Sequence, residues 1–242
     1  MQIIPVIDLK QGFVVHARHG DRSHYQPIQS LLCAGSKPHH VIAALLELYP
    51  FTTVYIADID AITDTGSHFD ILLILANDFP HITFWVDCGI KQMNHRALHH
   101  GQNIRPVIGS ENMEHLISYK AVSYACGSRH VLSLDYQADT ALGTDALFNT
   151  AKYWPEDLIC MSLQKVGSRQ GVDIERLQSL QNLNAYRKTP SRIFAAGGVD
   201  NIDDIKLLNT HGIHGALIAT SLHQKQITTS DLIDFYRHIA FT

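Results

Sequence analysis

Short runs of apolar, mostly β-branched residues alternate along the chain with longer stretches whose apolar positions repeat at helical spacing. The apolar runs predict eight strands, near residues 2–7, 53–57, 82–86, 105–108, 129–134, 157–161, 192–195 and 215–218. The longer stretches predict eight helices, at 38–48, 67–77, 91–99, 111–120, 144–153, 173–182, 201–210 and 229–238. Nearly all strand positions are apolar, which is typical of parallel strands covered on both faces. The order of elements predicts an α/β fold of the (β/α)8 TIM-barrel type, with its functional site at the carboxyl ends of the strands.

An open, doubly wound sheet is the alternative architecture for alternating strands and helices. Such a sheet usually carries a glycine-rich turn directly after its first strand. Here the first strand runs into Asp8-Leu9-Lys10-Gln11-Gly12, which contains no GxGxxG pattern. The barrel is therefore favoured.

The two halves of the chain also resemble each other. Asp8 closes the first apolar run, and Asp135 closes the fifth in the same way. Two further pairs of segments match in the same order, residues 86–90 with 195–199 and residues 107–110 with 217–220. A repeated set of strand–helix units predicts two-fold internal symmetry, with half-barrels at about 1–125 and 126–242.

Length and charge narrow the class of protein further. The 242 residues contain no linker-like or low-complexity tract, which favours one domain over residues 1–242. The formal net charge is −4 and no Lys/Arg block stands out, which argues against nucleic acid or a membrane surface as the main partner. There is no apolar segment of membrane-spanning length and no secretory signal, so we expect a cytoplasmic protein.

Metal binding is not expected from the cysteines or histidines. The four cysteines have no CxxC spacing, which is typical of reduced thiols. Among the sixteen histidines, the adjacent pairs His39-His40 and His99-His100 would point in different directions on a helix and make poor chelates.

Glycines and hydroxyl residues follow the last two strands, where barrel enzymes often bind phosphate. Gly197-Gly198 follows the seventh strand and Thr220-Ser221 the eighth. Glycines let backbone N–H groups approach phosphate oxygens, and hydroxyls add donors. The alternative is that the glycines only shape tight turns.

The first half carries a matching candidate phosphate site, formed by Gly89 and by Gly109-Ser110. Asp87 lies beside it and would repel a phosphate unless it turned away or paired with a cation such as Lys91 or Arg96.

Carboxylates at strand ends are the candidate catalytic groups. Asp8 and Asp135 would face each other across the barrel mouth, where they could exchange protons with one small substrate. A purely structural role, accepting hydrogen bonds from backbone N–H groups, is the alternative for each. Asp58 and Asp60 end the second strand, and for them we expect a supporting role, orienting a loop or holding a sugar hydroxyl.

Lysines allow a different chemistry. Lys10 and Lys165 could form a Schiff base with a carbonyl substrate if they were desolvated in the barrel. Lys165 precedes Gly167-Ser168, a flexible segment that could close over substrate. Arg18, His19 and Arg22, in the long first loop, are further candidates for contact with an anion.

Several segments resemble a known family. The opening Ile3-Ile4-Pro5-Val6-Ile7-Asp8-Leu9-Lys10-Gln11-Gly12 resembles the histidine-biosynthesis barrel family, and the likeness continues over nearly the whole chain. Its later parts are Val14-Val15, Gly20-Asp21, Ala57-Asp58-Ile59-Asp60, Ser133-Leu134-Asp135, Ala196-Gly197-Gly198-Val199 and Gly215-Ala216-Leu217-Ile218.

The resemblance implies a two-fold symmetric barrel and one of two activities. The family includes an isomerase that opens an aminoaldose ring and moves a hydrogen from C2 to C1, and a cyclase. The cyclase usually has a cysteine before its first aspartate, whereas this chain has Ile7, so the isomerase is the better match. By this resemblance Asp8 is the general base, Asp135 is the general acid, and no cofactor is required.

The chain departs from the isomerase pattern where that enzyme binds the second half of its two-phosphate substrate. Asp87-Cys88-Gly89 replaces a glycine cluster, Ala219-Thr220 replaces a glycine–arginine pair, and the segment after Asp135 is shorter and lacks the family's tryptophan. These differences predict a diverged paralogue that acts on a smaller phosphorylated compound, with one phosphate. A Schiff-base lyase or synthase using Lys165 or Lys10 and a non-catalytic phosphometabolite-binding protein are the alternatives.

Overall fold

Eight parallel strands close into a barrel in this computed structural model, which describes residues 1–17, 21–89, 103–167 and 171–240. The barrel strands are β1 (Gln2–Lys10), β4 (Thr53–Asp58), β5 (Thr83–Asp87), β6 (Ile104–Gly109), β7 (Val131–Gln137), β9 (Asp157–Ser162), β10 (Arg192–Ala196) and β11 (Gly215–Ile218). Closure comes from β1, which pairs with β4 on one side and with β11 on the other. The predicted (β/α)8 barrel is confirmed, while its two-fold symmetry stays a prediction.

Helices follow the strands, most of them on the outside of the barrel and two short ones, Ile59–Ile62 and Thr220–His223, at its mouth. Those described are Pro38–Leu48, Ile59–Ile62, Phe69–Asp78, Leu116–Cys126, Asp145–Phe148, Ile174–Asn184, Ile202–Thr210, Thr220–His223 and Thr229–Ala240. Pro38 occupies the first turn of its helix, and Asn201 caps the helix at Ile202 through a capping box with Asp204. The predicted helix at 91–99 lies outside the described residues.

Two predicted helices differ from the structure. The helix predicted at 111–120 begins only at Leu116, because residues 110–112 form a 3-10 turn directly after β6. The helix predicted at 144–153 is divided, because Thr150 leaves the helical conformation and its hydroxyl caps a separate 3-10 turn at Ala151–Tyr153. In both cases side-chain hydrogen bonds and turns near the strand end override the apolar spacing.

Apolar side chains fill the barrel interior, and a second apolar layer lies between the strands and the helices. Inside the barrel, Trp85 and Phe194 meet edge to face with ring centroids 4.9 Å apart. Alternate residues of each strand point inward or outward, so nearly all strand positions are buried. Because side chains occupy the interior, the open space lies at the carboxyl end of the strands.

Two barrel strands continue beyond the mouth as hairpins. β1 pairs antiparallel with β2 (Phe13–His16), which also pairs with β3 (Gln26–Pro27). In the second half, β7 pairs antiparallel with β8 (Thr140–Leu142). Asp8 and Asp135 both stand where a strand passes from the barrel into its hairpin. The same local arrangement therefore surrounds both candidate catalytic residues.

Within the described part of the chain, none of the helices combines the length and the apolar content that crossing a membrane demands. The four cysteines are free thiols.

Candidate active site at the carboxyl ends of the strands

A cavity lies at the barrel mouth, between the strand ends and the segment that follows β2. Its charged lining groups are Asp8, Asp87, Glu111, Asp135, Asp200, Arg22 and Lys165. Arg22 and Tyr25 belong to the covering segment, which is tied to the strand end because the Lys10 Nζ donates to the Arg22 carbonyl at 2.7 Å. The site is thus formed by strand ends below and by one loop above.

Asp8 faces the cavity from the end of β1. Burial raises the pKa of its carboxyl group from 3.8 to about 7, against the opposing effect of the Arg22 guanidinium. Among the described residues, no hydrogen bond reaches this carboxylate. Asp8 therefore presents a group that titrates near neutrality and is available to a ligand.

Asp135, in contrast, is held by several donors. Its carboxylate accepts from the Ser133 hydroxyl at 2.6 Å, from the Ser110 hydroxyl at 3.3 Å and from the Glu111 backbone N–H at 3.1 Å. Burial raises its pKa to about 7, and the negative charges of Glu111 and Asp87 act in the same direction. The hydrogen bonds fix the orientation of a carboxyl group that also titrates near neutrality.

Asp87 adds a third carboxyl group to this site. Its Oδ1 accepts from the Gly89 backbone N–H at 3.1 Å, and burial raises its pKa to about 7. A Cβ added to Gly109 would lie 3.3 Å from the Oδ2 of both Asp87 and Asp135, so these two carboxylates are close neighbours. The sequence offered a signal for this role, because Asp87 closes its strand just as Asp8 and Asp135 close theirs.

Arg22 and Glu111 form an ion pair that bridges the covering segment and the end of β6. The Arg22 guanidinium also lowers the pKa of Asp8 and of Asp87 through its charge. Sequence reasoning missed Glu111, because the residue fell at the start of a predicted helix. Its position directly after a strand was the signal that could have identified it.

The glycines and serine of the first-half phosphate candidate lie around these carboxylates. Gly89 contacts Asp87, Gly109 lies against Asp87 and Asp135, and the fully buried Ser110 accepts from the Asp135 backbone N–H at 2.8 Å. The cations suggested as partners for Asp87, Lys91 and Arg96, lie outside the described residues. In the described part of the chain, this end of the cavity is acidic.

The second-half phosphate candidate lies across the mouth. Gly197, Gly198 and Thr220 line the cavity, whereas the buried Ser221 donates its hydroxyl to the Val199 carbonyl at 2.9 Å. Both glycines have positive φ and approach other backbone closely, since an added Cβ would lie 2.4 Å from the Ser162 oxygen or 2.2 Å from the Gly171 oxygen. The close approach of other backbone therefore requires glycine at both positions, whether or not these residues bind phosphate.

Two histidines that sequence reasoning missed line the same side of the cavity. His16 Nε2 lies 3.3 Å from the Thr220 hydroxyl. His223 is buried, and burial with the nearby His16 lowers its pKa to about 4. Its Nδ1 meets the Ser30 hydroxyl at 3.0 Å, while its Nε2 has no hydrogen-bond partner in the described structure.

The remaining candidates separate into those at the cavity and those away from it. Lys165 and Gly167 line it. Lys10 instead holds the covering segment, as described above. Arg18, His19 and Ser168 lie outside the described residues.

Asp58 and Asp60 do not line the cavity and instead connect the end of β4 to the first hairpin. Asp58 is fully buried and meets His68 Nδ1 at 2.7 Å, and His68 Nε2 accepts from the Gly12 N–H at 2.9 Å. Asp60 accepts from the Gln11 N–H at 2.8 Å. Both carboxylates thus hold the turn that carries β2 back over the mouth.

No group of three or more histidine, cysteine, aspartate or glutamate side chains in the described ranges is arranged to hold a metal ion.

The chain is similar to proteins of one family over nearly its whole length. A family model described as histidine biosynthesis protein matches residues 2–228. An uncharacterized protein of Methanocaldococcus jannaschii is 28% identical over 241 residues, covering 97% of this chain and 98% of the relative.

Relatives with a named activity are more distant over the full length. The 1-(5-phosphoribosyl)-5-((5-phosphoribosylamino)methylideneamino) imidazole-4-carboxamide isomerase of Thermus thermophilus is 24% identical over 247 aligned positions, covering 96% of this chain and 99% of the relative. The enzyme of the same name from Bacillus cereus strain Q1 is 28% identical over 79 residues, 33% of this chain and 31% of the relative.

Proposed function

This chain belongs to the histidine biosynthesis protein family, and on that premise we propose that it is a cofactor-independent isomerase of a phosphorylated sugar-like substrate. It would convert an aminoaldose into an aminoketose by acid–base catalysis with Asp8 and Asp135. The observation that carries the proposal is that these two aspartates lie where the first and fifth barrel strands pass into their hairpins and line one cavity with pKa values near 7. An acid and a base that titrate near neutrality are well matched to proton transfer at that pH.

The surroundings of the two aspartates support different roles. The positive charge of Arg22 favours the ionised form of Asp8, as a general base requires. The negative charges of Glu111 and Asp87 favour the protonated form of Asp135, as a general acid requires. These influences agree with the roles that the family resemblance implies.

The proposed reaction needs no net gain or loss of atoms. Asp135 gives its proton to the ring oxygen as the C1–O bond breaks, and the substrate nitrogen supplies the electron pair that forms a C1–N double bond. Asp8 then removes the proton from C2, and the electrons of that C–H bond form a C1–C2 double bond while the π electrons of the C1–N double bond return to nitrogen. The C2 hydroxyl group then loses its proton as C1 gains one, so that the C2–O double bond of the ketose forms. Each aspartate can recover its starting state by proton exchange with substrate or water.

A substrate with a single phosphate is supported by the charge distribution. The side of the mouth with Gly197, Gly198 and Thr220 offers turns with positive φ and a hydroxyl. The opposite side offers Asp87 and Glu111, which would repel a second phosphate, with Arg22 already paired to Glu111. We therefore expect a substrate smaller than the two-phosphate compound named for the Thermus thermophilus relative.

Turnover is tested on the histidine-pathway aminoaldose and on smaller monophosphorylated aminoaldoses. In deuterium oxide, NMR would follow both product formation and exchange of the C2 hydrogen. We expect Asp8→Asn and Asp135→Asn each to lower kcat/KM by roughly 10²–10⁴-fold, the usual contribution of a general acid or base. Asp203→Asn, a change at an 82% exposed side chain, is the control. Isomerisation that survives both active-site changes would refute the assignment.

Lys165 supports a second candidate, a Schiff-base lyase or synthase, because this lysine lines the same cavity. Borohydride treatment with a phosphorylated carbonyl compound distinguishes the two chemistries. A covalent adduct at Lys165 would favour the lyase.

A further inference from the structure

We propose that the cavity selects a substrate carrying a protonated amine at one end and a single phosphate at the other. Asp87 and Glu111 would receive the amine, and His223 would donate from Nε2 to a phosphate oxygen. The inference rests on the proposed function and deepens it, because it states what replaces the second phosphate.

The strand order puts the two groups on opposite sides of the mouth. Asp87 ends the third barrel strand and Glu111 follows the fourth, whereas His223 follows the eighth. In a closed ring of eight strands, the fourth and the eighth stand across from each other. All three side chains line one continuous cavity. A single elongated molecule can therefore reach both sides.

The side formed by the third and fourth strands has an excess of carboxyl groups. Asp87, Glu111 and the neighbouring Asp135 line this side together with the Arg22 guanidinium, which pairs with Glu111, while Lys165 lines the cavity from the segment after the sixth strand. Oδ2 of Asp87 and Oδ2 of Asp135 share the space beside Gly109, and burial keeps the pKa of both near 7. A cation beside Asp87 would stabilise the ionised form of that carboxyl group, which burial otherwise disfavours.

An ammonium group fits this environment better than a metal ion. The described carboxylates are not arranged as a metal-ligand set. An ammonium has three N–H donors that can be shared among separate carboxylates without the short, regular distances that a divalent ion requires.

The opposite side presents an unused donor, which is an observation independent of the acidic groups. His223 is 2% exposed, and its Nε2 has no partner in the described structure. The Ser30 hydroxyl lies 3.0 Å from His223 Nδ1 and accepts from the Leu32 backbone N–H at 3.1 Å. In the tautomer in which the Ser30 hydroxyl donates to Nδ1, the hydrogen of the neutral imidazole is on Nε2.

The neutral imidazole is therefore a donor in need of an acceptor. Burial lowers the pKa of His223, so the ring holds one hydrogen at neutral pH. An unsatisfied buried donor is costly, and an anionic oxygen is the acceptor that compensates it best. Thr220 and Gly198 line the same side and would add contacts to a phosphate there.

Binding of unreactive probes to the full chain at pH 7 tests the inference. The probes are ω-aminoalkyl phosphates from propyl to pentyl, alkyl phosphates and alkyl bisphosphates of equal length, and the corresponding diamines. Calorimetry should find that the best aminoalkyl phosphate binds about tenfold or more tightly than the matched alkyl phosphate, and that the bisphosphate binds less tightly than either.

Two variants test which residues bind the amine and which bind the phosphate. In Asp87→Asn, the aminoalkyl phosphate should no longer bind more tightly than the matched alkyl phosphate, and the alkyl phosphate should bind at least as tightly as before. His223→Phe should weaken the binding of all phosphate probes by a similar factor, so that the ratio of the affinities of the aminoalkyl and alkyl phosphates stays unchanged. Glu114→Gln and His81→Gln, at exposed positions, are controls that should change neither. If a variant does not fold by circular dichroism, the probe ratio measured on the unaltered protein still decides the outcome.

Three outcomes would overturn the inference: a bisphosphate that binds as tightly as the aminoalkyl phosphate, an amine advantage that persists in Asp87→Asn, and the absence of binding by every probe. The probes contain no aminoaldose, so their binding is separate from isomerisation. Turnover of a bisphosphorylated substrate would overturn this inference alone. Selectivity for the amine without any isomerisation would overturn the proposed function alone.

Discussion

Burial removes most of the water that would stabilise the charges of three carboxylates, those of Asp8, Asp87 and Asp135. Different protein groups lie near each of them instead. Among the described residues, Asp135 accepts three hydrogen bonds, Asp87 accepts one from a backbone N–H, and Asp8 has the nearby charge of Arg22. In all three, burial is the largest influence and raises the pKa to about 7. Carboxyl groups tuned in this way are suited to proton transfer, but they weaken the fold at neutral pH.

The stability of the protein should therefore fall as pH rises from about 4 through about 7. The unfolded chain ionises Asp87 near its ordinary pKa of 3.8, while the folded chain keeps its proton until about pH 7. The protonated Asp87 carboxyl group therefore contributes its full stabilisation below pH 3.8, and this contribution is lost as the pH rises through about 7. The variant Asp87→Asn lacks this titrating group, so its free energy of unfolding should decrease less between pH 5 and pH 8, by on the order of 1–3 kcal/mol.

Thermal unfolding at the two pH values measures this difference. The decrease in Tm from pH 5 to pH 8 should be smaller in Asp87→Asn than in the unaltered protein, by about 2–4 °C for each kcal/mol. Asp203→Asn, exposed on its helix, should keep the original decrease. Equal decreases in all three proteins would mean that Asp87 is already ionised at pH 5.

At the residue scale, Asp8 and Asp135 could be predicted as cavity residues because both follow apolar runs in segments that match in sequence. Both line the cavity, and their catalytic role stays a prediction. Glu111 was missed although it comes directly after a strand, and His223 was missed because its relevance depends on which loops meet above the barrel. His223 Nδ1 meets the hydroxyl of Ser30, a residue far away in sequence, and Nε2 has no hydrogen-bond partner in the described structure.

Among the structural elements, the turn after β10 is fixed by backbone packing. Gly198 has φ +86° and approaches the Gly171 carbonyl so closely that a Cβ would stand 2.2 Å from its oxygen. The turn therefore holds the segment that follows β9 against the mouth of the barrel. Sequence patterns suggest glycine at such a turn, but they do not reveal the opposing backbone.

Gly198→Ala should destabilise the protein by more than the cost of positive φ alone. A left-handed conformation costs an alanine about 1–2 kcal/mol, and the clash with Gly171 should raise the total to roughly 3 kcal/mol or more. Gly35→Ala is a matched control, because Gly35 has φ +81° and open space where a Cβ would stand. Urea unfolding of both variants compares the two costs, and equal losses would show that the turn can move away.

Element types were predictable because apolar runs and helical spacing are local properties. Element boundaries near the mouth were less so. The helix predicted at 111–120 gives way to a 3-10 turn because Ser110 and Glu111 hold Asp135 there. Tertiary contacts at the site thus prevail over local helical preference.

Across the whole molecule, the amino and carboxyl ends of the barrel strands have different roles. At the amino end of the strands, the fully buried Asp157 accepts from Arg105 at 2.6 Å and from Arg192 at 2.7 and 2.9 Å. These contacts join β6, β9 and β10 at the end opposite the cavity. In TIM barrels that end usually contributes stability, whereas the carboxyl end carries the chemistry.

Asp157→Asn should therefore separate stability from activity. Loss of the buried charge leaves two guanidinium groups less well compensated, at a cost of about 3 kcal/mol, which corresponds to a Tm decrease of roughly 6–12 °C. At temperatures where the variant is folded, kcat/KM should equal that of the unaltered enzyme. An activity loss as large as that of Asp135→Asn would show that the two ends of the barrel are coupled.

Pairing of β1 with β11 also has a consequence for synthesis of the protein. At its start, β1 pairs with residues 215–218, and the Gln2 N–H donates to the neighbouring His214 carbonyl. At about 5–20 residues per second, a ribosome takes roughly 10–40 s to make the chain between them. During that interval the first strand has an unpaired edge that can join a strand of another molecule. Nascent chains are therefore most prone to aggregation before the eighth strand emerges, and chaperone binding during translation should protect them most in that interval.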